Sequence, residues 1–219
     1  MFLKYYFLII FNIFLIDNFI VQKFIIIDKA KYYFLHALFN LWVVFVTFNE
    51  TIECLLKPLE SFDSKDDFNF IITTIGISSF HTYHILTCYK KLNLEDWMHH
   101  LISAILVPFI GINNTFKKLG SLCNFIMCGL PGLIDYFLLT LVKYNKIEKL
   151  TEKRINTYLN MIIRYPFMVI CFYIYSLLLY YNKIKLNYLM LIASLMHLYN
   201  GFYYSVKVVA NYHSHLNKK

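Results

Sequence analysis

The chain has 219 residues, a formal net charge of +8, 59% hydrophobic residues and only 16% charged ones. So large an apolar share with so little charge excludes a water-soluble globular domain. The basic excess comes with no soluble basic domain and no nucleic-acid motif, which excludes nucleic acid as a partner and leaves anionic lipid as the ordinary neighbour of the basic connections.

Apolar runs long enough to cross roughly 30 Å of hydrocarbon fall near 2–22, 31–49, 68–89, 96–113, 119–143, 158–181 and 186–210. They predict an all-α fold, a polytopic transmembrane helical bundle of seven spans, or six if the first run does not cross. Asp17 interrupts that first run and Lys4 precedes it as in a signal peptide, but no small-residue cleavage site follows. Residues 1–29 therefore read as an uncleaved N-terminal membrane anchor. Residues 30–212 form one membrane domain, undivided by repeat or linker, and 213–219 a short tail whose His213 and His215 carry no assignment.

Lys and Arg in alternate connections divide twelve to seven. The richer side, with Lys23, Lys29, Lys31, Lys90, Lys91, the 143–154 cluster and Lys218-Lys219, is expected in the cytosol together with the C-terminus. The acidic 50–67 stretch and the N-x-T sequons at Asn49 and Asn113 then lie on the lumenal side. The five cysteines are odd in number and lack CxxC spacing; most sit in spans, where thiols behave as small apolar groups.

Polar side chains inside these spans gather at one depth. Counted from the cytosolic end of its own helix at 1.5 Å per residue, His36 on the second span lies level with His81 and His84 on the third and His99-His100 on the fourth. Asp135, Arg164 and Lys207 join the layer from the fifth, sixth and seventh spans. Spacings of three and four put His81, His84 and Cys88 on one stripe, stack His36 on Asn40 and Ser103 under the dyad, and align His197, Asn200, Tyr204 and Lys207. Prolines at 131 and 166 free backbone carbonyls beside Asp135 and Arg164, and in lipid those must be met by protein or cavity water. Together these features predict a polar chamber opening toward the cytosol. Two histidine pairs supply fewer ligands than a membrane di-iron centre needs, so no metal is expected.

The fourth span, Glu95-Asp96-Trp97-Met98-His99-His100-Leu101-Ile102-Ser103, resembles the signature of the TLC-domain family, the lipid-handling group that includes ceramide synthases and translocation-associated membrane proteins. Tyr33-Phe34-Leu35-His36-Ala37 looks like the family's helix ahead of the acidic loop, and Asn200-Gly201-Phe202-Tyr203-Tyr204 with Lys207 resembles its last helix. The resemblance covers about residues 30–212. It departs at 127–135, where ceramide synthases carry several acids and this chain keeps only Asp135.

The resemblance implies acyl-CoA-dependent N-acyl transfer. His99 or His100 would be the imidazole that takes the acyl group, and Asp135 or Asp96 the carboxylate that orients it. His36, His81, His84, Arg164, Asn200, Tyr204 and Lys207 then form the substrate-binding set. Acyl-CoA would be a co-substrate rather than a cofactor, the partners membrane lipids and the location the endoplasmic reticulum or a related endomembrane; a homodimer is compatible with the sequence. The same residues also fit structural roles: the dyad as a hydrogen bond between helices, Asp135 with Arg164 as an ion pair, His197 as packing. A non-catalytic lipid-binding, lipid-homeostasis or trafficking protein is the alternative reading.

Overall fold

The computed structural model describes residues 2–63, 67–106, 109–111 and 116–217, apart from the side chains of Lys91, Ser103 and Ala104. The Ser103 side chain expected beneath the dyad, the sequon at Asn113 and the terminal Lys218-Lys219 lie outside the described residues. Among those described the chain is helical with no strand, as lipid demands of a chain that must satisfy its backbone within each segment.

Seven helical rods follow one another among the described residues. They are α1 (Phe2–Phe24), α2 (Asp28–Leu56), α3 (Phe68–Cys88), α4 (Leu94–Leu101 with the widened turn Ile102–Leu106), α5 (Lys117–Lys143), α6 (Lys149–Tyr180) and α7 (Tyr188–Leu216). Four of them, α1, α2, α5 and α6, are long and apolar enough to cross a membrane. The other three occupy the positions of predicted spans but are less apolar or shorter. Helix α3 spends its length on Asn69, Ser79, His81 and His84, α7 on Tyr, Asn and His, and α4 is short within the described residues.

The helix ends show why the chain turns where it does. Asn93 begins α4 with a reciprocal cap: its side-chain oxygen accepts from the Asp96 amide at 2.9 Å, and the Asp96 carboxylate accepts from the Asn93 amide at 3.2 Å. Asn187 caps α7 by accepting from the Leu189 amide at 2.9 Å. Helices α5 and α6 end alike. Asn145 and Asn182 take left-handed backbone at φ 54° and 56°, and the next amides, of Lys146 and Lys183, reach back to the Leu141 and Leu178 carbonyls at 2.9 Å each. Helix α2 runs past its predicted end because Glu50, placed by sequence in the acidic loop, is buried and accepts from Asn69 at 3.1 Å and from Ser121.

Backbone hydrogen bonding widens to π spacing at Ile16–Val21, Ile102–Leu106, Phe125–Gly129 and Leu159–Arg164. The last two precede Pro131 and Pro166, which lack the amide that would continue the α-helical ladder. Helix α1 lies along α3 in the same direction: Tyr5 meets Phe68 near one end, and the Tyr83 hydroxyl donates to Asp17 at 2.6 Å near the other. Between them Tyr6 donates to Thr82 at 2.6 Å. The N-terminal anchor segment is thus joined to α3 by partly buried polar groups. Glycines permit close approach at several points, two of them next to the cavities described below. A Cβ on Gly120 of α5 would run into the Phe70 ring, and one on Gly132 would stand 2.5 Å from the Asn40 amide.

Candidate functional site: a histidine chamber beside an apolar cavity

Five histidines from three helices converge. From α2, His36 donates through Nδ1 to the Tyr32 carbonyl at 2.8 Å, which fixes its tautomer and leaves Nε2 as the ring's acceptor. Its ring stacks on His84 of α3 at 4.2 Å and 9°, and on Tyr136 of α5 at 4.2 Å. The dyad enters from α4. His100 shares a proton with His81 of α3, Nδ1 to Nδ1 at 2.7 Å, one ring donating and the other accepting. His99 stands 5.1 Å from the His81 ring and 6.4 Å from the Tyr204 ring of α7.

The two members of the dyad are not equivalent. His100 is 3% exposed and held by His81, whereas the His99 ring is exposed to open space. That difference follows from α4 itself: consecutive residues on a helix point about 100° apart, so one imidazole faces the neighbouring helix and the other the cavity.

Asp135 and Arg164 do not meet directly. Arg164 Nη1 donates to Asn160 Oδ1 at 2.9 Å, Asn160 Nδ2 to Asn156 Oδ1 at 2.6 Å, and Asn156 Nδ2 to Asp135 Oδ1 at 2.8 Å. Two amides thereby carry a one-way chain of donors from the guanidinium to the carboxylate, in place of the expected ion pair. Asp96, the other carboxylate considered for the dyad, is engaged in capping α4. Glu95 joins α4 to α7: it accepts from Lys207 and, at 3.2 Å, from the Tyr203 hydroxyl. The Lys207 ammonium holds the Glu95 carboxyl below its ordinary range, so it is ionised at neutral pH.

Two cavities flank this arrangement. A polar one of about 430 Å³ is lined by His36, His81, His99, His100, Asp135, Arg164, Asn200, Tyr204 and Lys207. His84 is not on that wall; it is buried behind His36. An apolar one of about 720 Å³ runs between α3, α4, α5, α6 and α7, lined among others by Phe70, Met98, Ile102, Leu119, Phe172 and Ile192. The cavities share a wall of seven residues, the apolar Met127 and the polar Glu95, His99, Asn124, His197, Asn200 and Tyr204. Both volumes fall in the range of small-molecule sites. Among the described residues no group of three or more His, Cys, Asp or Glu is arranged to hold a metal ion.

Sequence reasoning missed Tyr32, Tyr136, Asn156, Asn160 and the bridging role of Glu95. The asparagines carried a usable signal, since Asn156, Asn160 and Arg164 recur at intervals of four on one helix face. The tyrosines carried none in a chain with 19 of them. No family model, no curated protein and no solved structure matches the chain.

Proposed function

We propose that the chain is a TLC-like lipid-handling membrane protein that seats an acyl chain in the apolar cavity and presents its polar end to His99. The reaction that suits this arrangement is acyl transfer from acyl-CoA to an amine, on an endomembrane such as the endoplasmic reticulum, with the C-terminus cytosolic. The observation that carries the reading is the common wall of the two cavities, on which His99 is the more exposed of two imidazoles; the other, His197, has its Nδ1 bonded to the Ala193 carbonyl at 2.6 Å.

In the first step, a neutral nitrogen of His99 attacks the thioester carbonyl. The carbon–sulfur bond breaks, and the CoA thiolate leaves with the proton from the other ring nitrogen. In the second step, an amine attacks the acyl-imidazole, its nitrogen takes the acyl group, and the proton it loses returns to the ring. Asn200 and Tyr204, on the common wall, are the donors available to a developing oxyanion. His81 and His100 act as a positioning pair behind the reacting ring.

Intact-mass measurement after incubation with palmitoyl-CoA tests the reading. Wild type gains one palmitoyl group, His99→Ala gains none, and His100→Ala gains it more slowly. A folded wild-type protein that forms no adduct removes the catalytic step. One observation favours a second reading, a non-catalytic lipid-binding protein: Asp135 and Asp96 are bonded to Asn156 and Asn93 rather than to the dyad. In that case the acyl lipid is retained through purification, and His99→Ala lowers retention without any turnover to lose.

A further inference from the structure

Helices α4 and α7 both wall the apolar cavity, yet they do not pack on each other. Close backbone contact joins α3 to α4, α3 to α5, α5 to α6 and α6 to α7, and no comparable contact joins α4 to α7 among the described residues. A cavity closed on that side would bury its lining. Instead Met98 and Leu106 of α4, and Ile192, Leu195 and Tyr199 of α7, line the cavity while remaining exposed, Tyr199 at 67%. One end of this cleft is spanned by polar contacts, Glu95 with Lys207 and with Tyr203. Beyond them the cleft wall is apolar.

We propose that the α4–α7 cleft is a lateral portal through which the acyl chain of a bilayer lipid enters the apolar cavity, latched beside His99 by Glu95, Lys207 and Tyr203. The proposal rests on the reading that an acyl chain occupies this cavity. The choice of occupant follows from position and chemistry. The neighbouring helices α5 and α6 are long and apolar enough to lie in hydrocarbon, so what faces the cleft there is lipid. From Glu95 to Leu106 the α4 edge rises about 16 Å, close to the half-thickness that one leaflet's chains fill. The charged pair sits only at the end where the polar cavity begins, so a chain entering from the side passes apolar atoms and brings its polar end to the imidazole.

The latch is an exposed ion pair, and exposed pairs contribute modestly, so opening it should change a rate rather than abolish binding. The full-length protein in nanodiscs is mixed with vesicles containing a phosphatidylcholine with a diazirine midway along one acyl chain, and photolabelling is followed in time. Label is expected on the peptides carrying Met98, Ile102 and Ile192. Glu95→Lys and Lys207→Glu should each speed its appearance about two- to five-fold, and the double exchange Glu95→Lys with Lys207→Glu should return it to the wild-type rate. Thermal unfolding of the same four proteins controls for folding. Cavity label that accumulates at one rate in all four proteins overturns the latch, and label confined to the outer faces of α1 and α2 overturns the portal. Absence of cavity label at equilibrium together with absence of an acyl adduct on His99 overturns the underlying acyl-chain reading instead.

Discussion

His84 is buried with neither ring nitrogen hydrogen-bonded, although it lies at the centre of the aromatic stack of His36, Phe80 and Tyr32. An unpaired polar group in such a place costs roughly 1–3 kcal/mol. Its packing, by contrast, is that of a flat ring. His84→Phe is therefore expected to keep the stack, remove the desolvation cost and hold or raise the unfolding temperature in detergent, with the extra ring atom accommodated toward the His36 face. A marked drop in that temperature would mean that the imidazole nitrogens have a partner such as a bound water. Among the histidines only His84 stands away from the cavity wall while sharing the chamber's layer. Depth counting cannot separate a residue in a chamber from one behind it, because both sit at the same height on their helices.

At the level of whole helices, the close passage of α5 over α3 rests on Gly120. Its missing Cβ admits the Phe70 ring, which also packs edge-on with Phe116 and lines the apolar cavity. Gly120→Ala forces that ring into the cavity or the two helices apart. The expected cost is about 1–3 kcal/mol of stability, read as a lower unfolding temperature and weaker retention of long-chain lipid. A variant as stable as wild type, with unchanged retention, would show that the ring has room to turn. The order of the helices and the convergence of His36, His81, His99 and His100 were readable in the sequence, because helical rise converts residue counts into depth. What was not readable was how Asp135 and Arg164 are joined. Charge pairing alone suggests direct contact; the spacing of Asn156, Asn160 and Arg164 puts them on one helix face, but it takes the hydrogen bonds to show that the two amides carry the link across to Asp135. The full length of α2 is hidden for a related reason: Glu50 reads as a loop residue until Asn69 and Ser121 are seen to donate to its carboxylate inside the bundle.

For the molecule as a whole, the common direction of α1 and α3 bears on topology. The Phe68 end of α3 and the Tyr5 end of α1 lie together, so the start of the chain belongs on the side of the acidic 50–67 stretch. A reporter placed ahead of Met1 is expected to read lumenal, and one inserted after Lys29 cytosolic. A cytosolic signal ahead of Met1 would mean that α1 lies in the interface beside α3 rather than crossing with it.

That same α1 has a consequence at a distance, for the histidine pair. On α3, Ser79, Thr82 and Tyr83 are bonded to Tyr6 and Asp17, while His81 between them points the other way to His100. Because a helix turns as a unit, any rotation of α3 that relieved the first set would swing His81 off its partner. The N-terminal helix, which contributes no wall to either cavity, works as a splint that keeps a shared proton aligned on the far face of its neighbour.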